Sequence, residues 1–511
     1  MDRKYTKPIG TIEGPRNAAM KDLKARAIRG GFAKVCAQGA NFALRVGSLM
    51  VLARLLDPRD FGLVGMVTAF TGVLNLFRDF GLSSATVQRV EVTDEQISTL
   101  FWINSLVGAT LWLLLVAVSP LVAAFYREPR LLWVTIVLAI GFFVNALGVQ
   151  HSAILQRQMR FTALALIDII ALVASISVGI GMALYGFKYW SLVAMTITAP
   201  LVTSISLWLA TGWIPGVPRR RVGIHAMMRF GGTITLNGLV VYVAYNLEKV
   251  LLGRFWGAET VGIYGRAYQL INIPTDNLNS AVGEVAFSVL ARVQNDAARL
   301  RSYFLKGYSL VLALTVPLTI ACALFGSDLI SVLLGPKWKE AVPIFRLLAP
   351  TILMFAMMNP FSWLLFSMGW VNRSLKIALV IAPLAIGAYL IGLPYGPKGV
   401  AFAYSTAMTI WLVPHILWCI HGTNISFGDI LSVVKRPVVS ASVAAALASA
   451  VQFEYSQKLS PLLRLLLGCG ILFGVYGVML LYVMGQKAFY LDLVRGLRNR
   501  SSVDGKDLVT T

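Results

Sequence analysis

Acid is scarce in this chain: its 511 residues carry 23 Asp and Glu against 45 Lys and Arg, a formal net charge of +22. Cysteine and histidine are scarcer, with four of each. Cys36, Cys322, Cys419 and Cys469 lie far apart in apolar runs, which excludes a disulfide framework and a metal site of the CxxC kind. His151, His225, His415 and His421 form no ligand cluster, so neither metal nor cofactor is expected. Long polar stretches are also lacking, and an enzyme built on an aqueous catalytic domain is excluded. The first thirty residues are basic, without an apolar core or a cleavage pattern, so no cleaved signal peptide is expected. The excess of base is scattered over short loops. Anionic lipid headgroups account for it, and no nucleic-acid partner is expected.

What the chain has is hydrocarbon: 57% of its residues are hydrophobic and its mean hydropathy is +0.72. Apolar runs of about 20 residues are long enough to cross a bilayer core as helix. They predict spans at 31–53, 61–83, 98–123, 131–155, 163–184, 189–213, 229–255, 262–288, 304–334, 342–367, 374–393, 398–420, 436–452 and 461–484. The Pro- and Gly-rich segments at 335–337 and 394–399 read as tight connections.

At an offset of 200 the chain resembles itself. Leu52, Arg54, Gly62 and Gly65 coincide with Leu252, Arg254, Gly262 and Gly265, where one span ends and the next begins. Six spans precede the basic stretch 214–228, with Arg219, Arg220 and Arg221, and six follow it. An even number makes the repeat parallel, about an axis along the membrane normal, as in some secondary transporters. The expected fold is an all-α polytopic membrane protein of about fourteen helices. Two parallel six-helix lobes surround a central cavity, and two further helices follow. The boundaries are a basic segment 1–30, lobes 31–213 and 229–420 joined by 214–228, two extra helices in 421–485, and a tail 486–511. Basic residues concentrate in the tails, at 219–221 and at Arg292, Arg299, Arg301 and Lys306, which places both termini in the cytoplasm.

Polar side chains recur where lipid should be. Lys34, Gln38, Asn41, Arg45 and Ser48 return to one face of span one within about 40°. Thr68, Thr71, Asn75, Arg78 and Asp79 share a face of span two. Gln269, Asn272, Asp276, Asn279 and Ser280 do the same in span eight, and Thr235, Tyr242, Asn246 and Lys249 in span seven. Hydroxyls and amides serve equally as glue between packed helices. Charges at mid-membrane are costly, which points Lys34, Arg45, Arg78 and Lys249 into a hydrated cavity. Asp79 is also a salt-bridge partner for Arg78 or Arg45. Glu248 lies off the stripe, as a structural partner for a nearby cation. Pro274 interrupts span eight beside the polar face, as a static bend or a hinge.

Six segments then carry a family resemblance: LARLLDPRDFGLVGMV, DFGLSSATVQR, ILQRQMRFTALALID, EKVLLGRFWGAETVGIYGRAYQL, VAFSVLARVQND and LLGPKWKEAVPIFRLLAP. Over residues 28–420 the chain resembles the Wzx-type polysaccharide flippases, of the colanic-acid and exopolysaccharide branch. They form part of the multidrug/oligosaccharidyl-lipid/polysaccharide exporter superfamily. The resemblance implies a bacterial inner-membrane protein that moves undecaprenyl-diphosphate-linked oligosaccharide to the periplasmic leaflet by alternating access. Membrane lipids, a polysaccharide polymerase and chain-length or export proteins are its implied partners. Arg54, Gly62, Arg254, Gly262 and Tyr264 match family text at helix ends and read as turn and gate positions. The cations would bind the diphosphate, since a guanidinium fork fits phosphate. Asp79, Asp168, Asp276 and Glu284 are candidates for ion coupling. A drug or cation antiporter of the same superfamily would want acids to dominate the cavity, and a lipid II flippase lies closer. A membrane glycosyltransferase or polymerase would need a long loop with catalytic residues. A purely structural subunit leaves the polar stripes without a purpose.

Overall fold

The computed structural model describes residues 39–75, 86, 92–218, 225–455 and 459–488. Among these residues the regular structure is helical, with no strand. Helix α1 covers 39–55, followed by α2 (Pro58–Asn75), α3 (Asp94–Tyr126), α4 (Arg130–Arg157), α5 (Phe161–Leu184) and α6 (Tyr189–Thr211). A long helical stretch, His225–Arg292, breaks at Gly257 (φ 84°, ψ 179°) into α7 (225–256) and α8 (258–292). Then come α9 (Ala297–Leu324), α10 (Gly326–Leu333), α11 (Ala341–Leu348), α12 (Pro350–Met358) and α13 (Pro360–Ser367). The chain continues through α14 (Val371–Gly392), α15 (Gly396–Ile420), α16 (Phe427–Tyr455) and α17 (Pro461–Val478).

Each of the fourteen expected spans meets helix. Two differences have local causes, and one break falls in an expected gap between spans. Expected span nine ends early, at Leu324, and restarts as α10. Span ten is three short helices in series, the second and third opening on Pro350 and Pro360, whose missing N–H takes a bond from the ladder while Ala349 and Asn359 keep right-handed helical backbone. The break in 225–292 falls at Gly257, because its positive φ suits a residue without Cβ; helix continues across Pro274, whose side chain lies outside the described residues. Nine stretches among the described residues are long and apolar enough to cross a membrane, the 50-residue Val371–Ile420 being a pair of helices. The protein is an all-α, multi-pass membrane protein.

Helix ends carry the capping chemistry that the sequence supplies. Thr93 and Gln96 form a reciprocal capping box at α3, and Arg127 ends that helix in the left-handed region at φ 55°. Ser426 and Asp429 exchange backbone-to-side-chain bonds at the start of α16 (2.9 and 3.2 Å). Gly392 and Gly399 bring α14 and α15 together: a Cβ on either would lie 2.4 Å from the other's carbonyl oxygen.

The chain packs as two compact units, residues 1–239 and 240–511. In the first, α3 crosses α4 closely at Gly108, and α4 meets α6 at Gly148, whose missing Cβ leaves room for Ser204. In the second, Phe304, Tyr308, Phe361 and Leu364 centre a core shared by α9, α13, α15, α16 and α17. The last two helices are bound into that unit by polar contacts. Arg464 of α17 holds Asp328 of α10 at 2.5 Å, and Tyr476 donates to the Ala313 carbonyl at 2.8 Å. Asp328 is 1% exposed, so its charge needs that arginine. Arg464→Met should destabilise the purified protein by on the order of 3 kcal/mol. Adding Asp328→Asn should restore most of the loss in a thermal melt; a double variant as unstable as the single one would deny the pair its role.

Candidate functional site

In the first unit, α1 and α2 present the expected faces in part. Lys34, Gln38, Arg78 and Asp79 lie outside the described residues. Arg45 and Asn75 are exposed, and Asn41 is half-buried with its Oδ1 unbonded. Asp168 of α5, also exposed, lies within electrostatic reach of Arg45, a pairing of distant spans that periodicity does not reveal. Thr68 donates to the Gly65 carbonyl at 3.1 Å, a bond within its own helix. Ser48 likewise donates to the Arg45 carbonyl at 2.9 Å. Such hydroxyls keep acceptor capacity but have used their proton.

In the second unit the stripe is a connected set. Asn246 donates to the Tyr242 carbonyl at 3.1 Å and accepts from Lys249 Nζ at 2.9 Å. Lys249 Nζ also lies 5.9 Å from the centre of the Tyr268 ring, within cation–π range. On α8, Arg266 donates to the exposed Gln269 Oε1, and Thr275 donates to the Asn272 carbonyl at 2.8 Å. The side chains of Asp276, Pro274 and Glu284 lie outside the described residues. Lys249, Arg266, Gln269 and Asn246 thus offer cations and amides on neighbouring helical turns. Arg266 escaped the sequence reading because it stands one turn before the stripe counted from Gln269; its spacing of three to Gln269 was the available signal.

Behind this face is a stack of tyrosines. Tyr264 and Tyr268 of α8 are 6.1 Å apart and stacked, Tyr268 meets Tyr404 of α15 edge-on at 6.5 Å, and Tyr404 stacks on Tyr389 of α14 at 5.2 Å. Tyr264 is fully buried, which makes it a packing residue more than a gate. Glu248 lies within electrostatic reach of Tyr242, Tyr264, Tyr268 and Tyr389. It is 1% exposed, and neither carboxylate oxygen has a bond from another side chain. The expected ion-pair role of Glu248 is therefore limited to electrostatic balance with adjoining Lys249.

With this geometry in place, comparison with known proteins decides the family. The family described as "Polysaccharide biosynthesis protein" matches residues 51–343, more than half of the chain. The chain belongs to this family. Among relatives, the teichuronic acid biosynthesis protein TuaB of Bacillus subtilis (strain 168) is 32% identical over 296 residues, 57% of this chain and 61% of TuaB. The chain therefore spans about three-fifths of that relative's length. The lipopolysaccharide biosynthesis protein WzxC of Escherichia coli (strain K12) is 26% identical over 376 residues, 72% of this chain and 76% of WzxC. The succinoglycan biosynthesis transport protein ExoT of Rhizobium meliloti (strain 1021) is 23% identical over 315 residues, 62% of this chain and 64% of ExoT. Among solved structures, the lipid II flippase MurJ in an inward closed conformation superposes with a TM-score of 0.70 at 14% identity. That match covers 90% of this chain and 99% of MurJ. An inward-facing multidrug resistance MATE family transporter of the MOP superfamily follows at 0.61 and 14%, covering 75% and 94%. At those identities the likeness is one of fold: this polysaccharide-biosynthesis protein has the all-helical transporter architecture.

Glu248→Gln should leave the protein at least as heat-stable, because it removes a buried charge without removing a bond to another side chain. Lys249→Met, which strips that charge of its nearest cation, should cost about 2 kcal/mol. Thermal melts of the purified protein read both. A Glu248→Gln variant less stable than Lys249→Met would show that the carboxylate is held by a partner it is not seen to have.

Proposed function

We propose that this chain moves undecaprenyl-diphosphate-linked oligosaccharide repeat units from the cytoplasmic to the periplasmic leaflet of the bacterial inner membrane. The units serve exopolysaccharide, lipopolysaccharide or capsule assembly, and the chain acts as a transporter, not an enzyme. The observation that carries the reading is cationic side chains on polar helix faces in a member of a polysaccharide-biosynthesis family. Arg45 stands on α1, and Lys249 and Arg266 stand on α7 and α8. A lipid-linked diphosphate needs two kinds of surroundings. Its phosphates need charge-assisted donors, and its prenyl chain needs apolar surroundings. Lys249 spends one donor on Asn246 and keeps two. Asp168 tempers the charge of Arg45 and, with Asp79, Asp276 and Glu284, is a candidate for ion coupling. Alternating access is the proposed mode of transport, with cation-bearing polar faces present in each sequence half. An inside-negative potential assists outward movement of an anion by about 2.3 kcal/mol per charge per 100 mV. A polysaccharide polymerase and chain-length or export proteins are the proposed partners.

Both termini and the stretch 214–228 are assigned to the cytoplasm, and 394–398 to the periplasm. A phosphatase reporter fused at residue 222 should be inactive and one at residue 396 active; the opposite pattern would sink the orientation. For the site, Arg45→Ala and Arg78→Ala should each lower glycan export about tenfold, the value of one charge-assisted hydrogen bond, at unchanged abundance in the membrane. Lysine should rescue in part, restoring charge without the fork. Wild-type export by both alanine variants would return these arginines to helix packing.

A further inference from the structure

One end of the second unit gathers the starts of α9, α14 and α16 and the end of α15. Two contacts fix that placement. Arg301 of α9 grips Asp429 of α16 with Nη2 at 2.5 Å and Nε at 2.9 Å from its two oxygens. Arg373 of α14, stacked on Trp370 at 4.2 Å, donates to the His421 carbonyl after α15 at 2.6 Å. The carboxylates described at this end, Asp296 and Asp429, are both engaged, Asp296 by Arg299 at 3.1 Å. Lys376, Lys435 and Arg436 are exposed and have no carboxylate partner among the described residues.

The position of these cations separates them from ordinary loop charges. Lys435 is about 12 Å along α16 from its first residue. Leu431, 56% exposed, and Val439, 38% exposed, stand one turn to either side of it on the same helix surface. On α14, Lys376 has Leu379, 50% exposed, less than a turn deeper. Exposed apolar side chains of a membrane helix face acyl chains, so these ammonium groups start from lipid-facing stripes. Their stems let the charge reach the interface, where it meets headgroups and not bulk water. A topological preference for positive loops does not require cations inside such stripes. A phosphate above an acyl chain matches both features at once: an anion for the cation, hydrocarbon for its apolar neighbours.

We propose that this rim of the second unit binds anionic phospholipid. Lys435 and Arg436 on α16, and Lys376 on α14, each meet a headgroup phosphate, and Leu431, Val439 and Leu379 contact the acyl chains. Arg436 supplies the planar fork suited to phosphate oxygens, and the two lysines supply point charges. The inference is independent of what the protein transports, since it uses only one unit's surface.

The test uses the full chain in nanodiscs of phosphatidylcholine containing a trace of spin-labelled phosphatidylglycerol or, in parallel, spin-labelled phosphatidylcholine. The motionally restricted fraction, read by electron paramagnetic resonance, gives the preference for the anionic lipid. Wild type should prefer phosphatidylglycerol. Lys376→Gln/Lys435→Gln/Arg436→Gln should lose that preference by at least about fivefold, the effect of roughly one interfacial cation. Arginine at 376 and 435 should retain it, and so should Arg299→Gln, which removes an exposed cation already engaged by Asp296. A wild type without preference, or equal preference in wild type and the glutamine variant, overturns the proposal. Displacement of the labelled phosphatidylglycerol by micromolar farnesyl diphosphate also overturns it, by showing a prenyl-diphosphate dock instead.

Discussion

Every polar group of this chain that enters hydrocarbon must find its partner inside the protein, because the bilayer core offers no water. That constraint selects helices for the backbone and then disciplines the side chains. Threonines in the spans donate to carbonyls of their own helices: Thr196 to Leu192, Thr198 to Ala194, Thr315 to Val311 and Thr319 to Thr315, all within 2.7–2.8 Å. These hydroxyls are satisfied locally and say little about function. Helix-internal prolines, such as Pro120 in α3 and Pro317 in α9, are accommodated in the same environment. What remains after this local bookkeeping is a short set of amides and charges that no single helix can satisfy.

Those residues divide into two kinds. Asp328 with Arg464 is closed: both charges meet, and the carboxylate is buried under the arginine. Lys249 and Gln269 are open: Lys249 bonds an amide and faces the Tyr268 ring, and Gln269 accepts from Arg266 while remaining exposed. A transporter of anionic lipid-linked sugar needs the open kind, since a cation consumed by a carboxylate must be released before it can hold phosphate. Arg45 lies between the two, close enough to feel Asp168 while remaining exposed.

The fold was legible in the sequence because the signal is a mean property of about 20 consecutive residues, robust to single substitutions. The polar faces expected on α1, α2, α7 and α8 rest on a similar signal, periodicity along one helix. Partners were not legible. The Tyr264–Tyr268–Tyr404–Tyr389 stack joins α8, α14 and α15, and no spacing links residues 264 and 404. Asp168 opposite Arg45 and Asp328 beneath Arg464 are equally non-local. The break at Gly257 falls in the expected gap between the spans 229–255 and 262–288, while Pro274 stands out separately because its ring carries an explicit steric warrant for a kink. Here the positive φ at Gly257 ends α7, and the proline is absorbed within a continuing helix.

Two helices outside the sequence repeat are tied to the second unit by particular contacts. Three polar contacts bind α16 and α17 to α9 and α10: Arg301 with Asp429, Arg464 with Asp328, and the Tyr476 hydroxyl on the Ala313 carbonyl. Gly468 of α17 lies against the Phe325 ring so closely that a Cβ would come within 2.4 Å of it. Apolar contact alone gives little reason for helices to associate in lipid, since neighbouring acyl chains are as apolar as leucine. Hydrogen-bonded ion pairs and a glycine-to-ring contact do give such a reason. The C-terminal helices therefore belong mechanically to the second unit.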